Sequence, residues 1–240
     1  MIIEGNISVK AAILGGKREI EKLFVDEKKK DKDLSFIIHQ AISRDIPVEK
    51  LSRESIDNIA QGRTHGGCIA VCEARREDAL EDCLQKKDAF VFLVEGVEDP
   101  YNLGYIIRSL YAAGCDGLLL RKRDWKDSES VILKSSAGAF DYMHIVMCED
   151  LNESVGICRE NGFRCYAAMR KDAISYFDVS YRGKNLIAVG GEMRGLSKGV
   201  LAQMDQNIFI PYANDFRNAL NAASACTAIG FEIFRQRQTL

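Results

Sequence analysis

No apolar run in this 240-residue chain approaches the ~20 residues that span a bilayer, so the sequence reads as soluble. Met1-Ile2-Ile3-Glu4 opens no secretory signal, since no basic region and long apolar run follow, and the expected location is the cytoplasm. A net charge of −2 gives no global attraction to nucleic acid, so any RNA contact must come from local basic patches. No C-x-x-C pair occurs among the cysteines at 68, 72, 83, 115, 148, 158, 165 and 226. Cys68 and Cys72 are nearest, but GGCIAVCEA reads as a strand, which at roughly 3.3 Å per residue holds them about 13 Å apart. Structural thiols and no metal site are expected. Neither a Walker P-loop nor a dinucleotide fingerprint is present, because GGEMRG lacks the G-x-G-x-x-G spacing. Internal repeats and low-complexity tracts are also missing.

What is present is a chain with 47% hydrophobic and 28% charged residues, long enough for one large domain or two modest ones. Residues 1–74 alternate short helical and strand patterns: VKAAILGG, EKLFVD, LSFIIHQAISR, RESIDNIAQG and CIAVCEA. They read as a small α/β domain. Residues 75–88, RREDALEDCLQKKD, read as a linker or an exposed helix. From 89 to 240 the pattern changes to continuous apolar runs: AFVFLVEGV, DGLLLR, HIVMCE, FRCYAAM, NLIAVGGE and NIFIPYA. Continuous apolarity is what a parallel sheet covered on both faces requires. The fold class is therefore α/β with a mostly parallel sheet. The last helix, NALNAASACTAIGFEIFRQRQ, is apolar nearly all round, which calls for burial by the domain or by a partner.

Ligands bind at the carboxyl ends of strands in such sheets, and three polar, glycine-bearing segments follow strands here. In DPYNLGYIIRSL, residues 99–110, a helix from near Leu103 carries Leu103, Ile106, Ile107, Leu110 and Tyr111 as one stripe. Arg108 lies toward its edge and by periodicity reads as a surface charge, while Asn102 and Gly104 mark a turn. In IAVGGEMRGLSKG, Gly190 and Gly191 let a backbone approach a ligand closely, with Glu192 as an acceptor or simply a solvated loop residue. In IPYANDFRNALNAASA, Asn214, Asn218 and Asn221 surround a helix start, where one of them serves as cap.

Together these segments resemble the SpoU (TrmH-type) family of RNA ribose 2′-O-methyltransferases, in the knotted SPOUT superfamily. DPYNLGYIIRSLYAAGCDGLLL is similar to the family's first motif, SSAGAF at 135–140 to its serine-rich segment, VGGEMRGL to its second motif and IPY…ALNAASA…FEIFRQR to its third. Residues 1–74 are similar to the RNA-binding extension of many members, a fold also seen in some ribosomal proteins. The resemblance implies a carboxyl-terminal trefoil knot and a homodimer with the last helix in its interface. It also implies S-adenosylmethionine held by Gly190, Ile210 and Leu220, with Gly191 and Ala168 nearby. Arg108 becomes a site residue that assists deprotonation of the ribose or holds its phosphate. The second role is easier for a permanently protonated guanidinium. Asn102, Glu192 and Asn221 complete the polar wall. The implied activity is methylation of ribosomal RNA more than transfer RNA.

The chain departs from the family in reading Ala219-Leu220-Asn221 where Ser-Leu-Asn is usual. Its Ile210–Leu220 loop is also one residue longer and contains Phe216-Arg217. A lost positioned hydrogen bond costs roughly 1–3 kcal/mol, about ten- to a hundredfold in rate. The alternative is thus a knotted dimer that binds RNA but methylates weakly or not at all. For RNA, RKRDWK at 121–126 offers Arg121 and Arg123 beside the only tryptophan, as a clamp and stacking loop or as a solvated one. Arg63 and His65 form a second candidate, and Lys17 with Arg18 a weaker one.

Overall fold

A computed structural model describes residues 1–62, 64–191 and 194–238. In chain order the first elements are β1 (Ile2–Glu4), α1 (Asn6–Gly15), β2 (Ile20–Asp26), α2 (Lys32–Ile42), β3 (Val48–Leu51), α3 (Arg53–Ile59) and β4 (Cys68–Cys72). Then come β5 (Phe90–Glu95), α4 (Pro100–Ala112), β6 (Gly117–Arg121), α5 (Glu129–Ser135), β7 (Ile145–Cys148) and α6 (Leu151–Glu160). The chain closes with β8 (Arg164–Ala168), β9 (Ala173–Ser175), β10 (Asn185–Gly190), α7 (Lys198–Leu201), β11 (Gln206–Phe209) and α8 (Ala222–Gln238). These form two compact units: Met1–Arg76 with Trp125–Tyr142, and Glu77–Asp124 with Met143–Leu240. Boundaries expected at 74 and 89 drew no return of residues 125–142 to the first unit.

The first unit has a four-stranded sheet in the order β1-β4-β2-β3, with β4 antiparallel to both neighbours and β2 parallel to β3. Its helices start where a side chain can serve an orphan N–H: Asp31 accepts from Leu34 N at 2.7 Å and Ser52 from Ser55 N at 3.2 Å. A buried charge cluster ties residues 125–142 into this unit. Arg18 donates to both carboxylate oxygens of Asp141, at 3.0 and 2.8 Å, and to Glu129 at 2.8 Å. Burial opposes its charge, but the two carboxylates outweigh that and raise its pKa further. Arg18 is therefore not an exposed basic patch, being 4% exposed with its donors committed to acids. Gly15 packs on the same turn, where a Cβ would meet the Asp141 carbonyl oxygen.

The second unit carries seven strands, all parallel, in the order β7-β6-β5-β10-β8-β11-β9. Every residue of β5 is buried, as the uninterrupted run AFVFLVE requires of a central strand covered on both faces. α4 begins at Pro100 rather than near Leu103, because Asp99 accepts from Asn102 N at 2.7 Å and proline suits the first helical turn. Its buried stripe is Leu103, Ile106, Ile107 and Leu110; Tyr111 is exposed. α4 packs on α8, and a Cβ on Gly230 would lie 3.2 Å from Leu110 Cδ2. α8 starts at Ala222, four residues after the expected Asn218, and keeps Phe231 and Phe234 exposed.

Residues 75–88 also differ from an exposed linker. Leu80, Cys83 and Leu84 are buried in a short 3-10 turn, and Gly117 is open to Cys83 Sγ, which would stand 2.3 Å from a Cβ there. All eight cysteines are free and buried, and burial pushes the Cys68 thiol up to about 12. No described helix is long and apolar enough to cross a membrane.

Candidate functional site

The carboxyl ends of β8, β10 and β11 open onto a cleft within the second unit. One cavity of about 690 Å³ is lined by Ala168, Gly190, Gly191, Leu196, Leu220 and Asn221, among others. A second, of about 240 Å³, shares Ala168, Gly190, Ala219 and Leu220 with it and adds Ile210 and Tyr212. All five residues expected to hold a cofactor are thus gathered along one edge of the sheet. The parallel register explains why. Ala168 pairs with Ile208 and Gly190 with Glu95, so the strand ends are level and their following loops converge.

Backbone packing fixes the shape of this edge. Gly191 N donates to Glu95 O at 2.6 Å, and Gly195 N returns to Gly191 O at 3.1 Å. A Cβ on Gly190 would lie 2.5 Å from Gly195 C, and one on Gly191 2.3 Å from Gly96 O. The missing side chains therefore let three backbone segments approach one another, while both glycines still line the larger cavity. Glu95, absent from the sequence-based set, locks the arrangement: one carboxylate oxygen accepts from Ser197 N at 2.8 Å and the other from Arg121 Nη2 at 3.1 Å. Its only sequence signal is a carboxylate ending an otherwise apolar strand.

The polar residues expected at the site are dispersed. Asn221 lines the larger cavity and also caps α8, accepting from Ser224 N at 2.8 Å. Asn102 sits half-buried in the first turn of α4, and Arg108 stands exposed two turns further on; neither lines these cavities. Glu192 lies outside the described residues, as does Arg63.

The expected RNA contacts need correction. His65 is 2% exposed; its Nε2 lies 2.8 Å from Asp57 Oδ1 and its Nδ1 accepts from Gly67 N at 3.2 Å. Both ring nitrogens are spent on holding a turn, so the imidazole offers RNA nothing. Arg121 and Arg123 are exposed, but they face Glu95 at 3.1 Å and Glu98 at 3.8 Å, and Lys122 pairs with Glu149. Carboxylates thus offset the loop's positive charge. Trp125 is 8% exposed and belongs to the first unit, so it presents no open stacking face.

Among the described residues, Asp78, Asp82 and His144 bring one ligand atom each within 4.8 Å of one another. Asp78 Oδ2 accepts from Ile145 N at 2.8 Å and Asp82 Oδ2 from Ala79 N at 3.3 Å, which already gives both carboxylates a structural task.

Residues 89–231 match the model of the SpoU rRNA Methylase family, and residues 2–77 match that of the RNA 2'-O ribose methyltransferase substrate-binding domain. The chain belongs to the SpoU family. A putative TrmH family tRNA/rRNA methyltransferase of Staphylococcus epidermidis is 27% identical over 245 residues, covering 100% of this chain and 97% of the relative. The fold matches the SpoU methyltransferase AviRb of Streptomyces viridochromogenes with TM-score 0.82 at 24% identity, over 100% of this chain and 90% of that one. AviRb in complex with AdoMet superposes with TM-score 0.79, also at 24% identity, over 100% and 91% of the two chains. The SpoU assignment agrees with the mixed α/β fold, its large parallel sheet and its small amino-terminal α/β part.

Proposed function

We propose that the protein transfers the methyl group of S-adenosylmethionine to a ribose 2′-OH of structured RNA, ribosomal rather than transfer RNA. It acts as a homodimer whose second unit is threaded as a trefoil knot. The observation that carries the reading is the cleft, where Ala168, Gly190, Gly191, Ile210 and Leu220 line adjoining cavities at the strand ends. Their chemistry fits such a cofactor. Small and aliphatic side chains suit a ring and a thioether-like chain, and strand-end N–H and C=O groups can meet its polar edges. When bound, S-adenosylmethionine supplies an electrophilic methyl group on sulfonium sulfur.

The chain's own part is positioning. Ala168, Ile210 and Leu220 keep water from the reacting centre, and Arg108 grips the phosphate beside the target ribose through its guanidinium fork. Holding that phosphate aligns the 2′-oxygen with the methyl group, the geometric requirement of an in-line displacement. The insertion of β10 between β5 and β8 supports a threaded carboxyl-terminal segment. Exposed Tyr101 and Tyr105 on α4, with Phe231 and Phe234 on α8, support a dimer built on these helices. Arg108 shares a helix face with Tyr101 and Tyr105, so such a dimer seats it in the interface instead of in its own protomer's cleft.

A second reading, an RNA-binding dimer with weak transfer, draws on Ala219, which lines both cavities without the hydroxyl usual in the family. Incubation with labelled S-adenosylmethionine and fractionated RNA from cells lacking the protein separates the two. Label at a ribose in ribosomal RNA supports the enzyme. Cofactor and RNA binding without label supports the module.

A further inference from the structure

Beside the cleft, past the carboxyl end of β11, lies a concavity of about 310 Å³ walled by Arg170, Pro211, Tyr212, Asn214, Asp215 and Phe216. It shares Arg170 and Tyr212 with the smaller cavity of the cleft. Its loop has no regular secondary structure, yet its geometry is held. The Arg170 guanidinium donates to the carbonyls of Arg217 at 3.0 Å, Asn218 at 3.3 Å and Phe216 at 3.5 Å. It also lies 4.7 Å from the Tyr212 ring centroid, and Tyr212 Oη accepts from Leu220 N at 2.9 Å. A planar fork can grip several carbonyls and stack on a ring at once, which a lysine cannot do.

The loop so fixed presents Phe216. The residue is 52% exposed, and its ring centroid stands 6.1 Å from that of Tyr212 at an interplanar angle of 41°. A lone exposed phenylalanine needs no explanation. One mounted on an arginine-clamped loop, at the rim of a concavity with an amide and a carboxylate in its wall, has the composition of a nucleobase site. Unstacked bases are held by an aromatic ring against one face and polar groups at the edge. We propose that this loop is a nucleobase subsite: an unpaired base of the RNA stacks on Phe216 and presents its edge to Asn214 and Asp215. A carboxylate accepts hydrogen bonds only, so Asp215 favours a base edge with adjacent donors, such as the N1–H and exocyclic amine of guanine, over uracil, whose single N3–H lies between two carbonyl oxygens. Arg170 is the positioning residue. The inference rests on the RNA methyltransferase reading above.

The test measures methyl transfer to RNA from cells lacking the protein, alongside calorimetric titration with S-adenosylmethionine, for wild type, F216L, F216W and D215A. F216L is expected to raise KM for RNA about tenfold or more, as loss of one stacked base does, while cofactor affinity stays within about twofold. F216W recovers most of the loss, and D215A reproduces part of it. An unchanged KM in F216L, no recovery in F216W, or cofactor affinity falling in step with KM overturns the subsite. An unchanged KM in D215A removes the edge contact. If the wild type transfers no methyl to RNA, the parent reading fails as well, a result distinct from an active wild type with an indifferent F216L.

Discussion

Replacing Gly191 by alanine puts a methyl carbon 2.3 Å from the Gly96 carbonyl oxygen, 2.7 Å from its carbon and 3.2 Å from the Glu95 carbonyl oxygen. No flexible side chain is there to yield, so one backbone segment must retreat by about 1 Å to restore ordinary contact. The retreat strains the hydrogen bond from Gly191 N to Glu95 O, 2.6 Å long, and shifts the wall of the larger cavity. Overpacking and a weakened hydrogen bond together cost about 2–4 kcal/mol. For a chain of this size that lowers Tm by roughly 4–16 °C. The same displacement should reduce methyl transfer about ten- to a hundredfold, because the site is shaped by those backbones. G156A is the control: a Cβ there, inside α6, has nothing nearer than Gln203 Oε1 at 3.8 Å, so the variant should gain about 0.5–1 kcal/mol. Differential scanning calorimetry and a transfer assay read both variants. A G191A protein with wild-type Tm and wild-type transfer would refute the packing argument.

R18M takes the guanidinium away from buried Glu129 and leaves buried Asp141 only Arg75 Nε at 4.0 Å, and should cost about 3–5 kcal/mol in urea unfolding, whereas a loss under about 1 kcal/mol would contradict the pairing. N221A should lose about 1 kcal/mol of helix capping, N221S should restore it, and cofactor affinity measured by calorimetry should stay low in both if the amide serves the cavity. Burial alone would raise the Glu4 carboxyl, but the hydrogen bond from Lys134 and those from the N–H groups of Gly62 and Gln61 outweigh it and hold its pKa below the ordinary value. Its folded pKa being depressed, Glu4 contributes fully above its unfolded pKa of about 4.3 and loses that contribution as pH falls through the lower folded value. Acid unfolding curves of wild type and E4Q should therefore converge toward low pH, and curves that stay parallel down to pH 2 would count against the pairing.

The sheet of the second unit was legible because a doubly covered parallel strand has to be apolar throughout. AFVFLVE, GLLLR and NLIAVG admit few other readings, and each is a strand. Strands of three residues, β1 and β9, gave no pattern to read. The membership of residues 125–142 was not legible, since it depends on Arg18 meeting acids more than a hundred positions away. At the cleft, Gly190 and Gly191 stood out as a glycine pair after an apolar strand, whereas Ala168, Ile210 and Leu220 were named only through the resemblance to the SpoU family. His65 was misread because a loop histidine next to two glycines looks exposed, while here both its nitrogens hold the turn. Arg170 and Glu95 were passed over because their work is with backbone groups of distant loops, which composition does not record.

The most direct measurement is transfer of labelled methyl from S-adenosylmethionine to RNA from cells lacking the protein, comparing wild type with R108A and checking cofactor binding in each. Label at a ribose is expected with the wild type, reduced about a hundredfold in R108A, with cofactor affinity preserved. No label from either protein, while both bind cofactor and RNA, would contradict the methyltransferase reading and leave a binding module in its place.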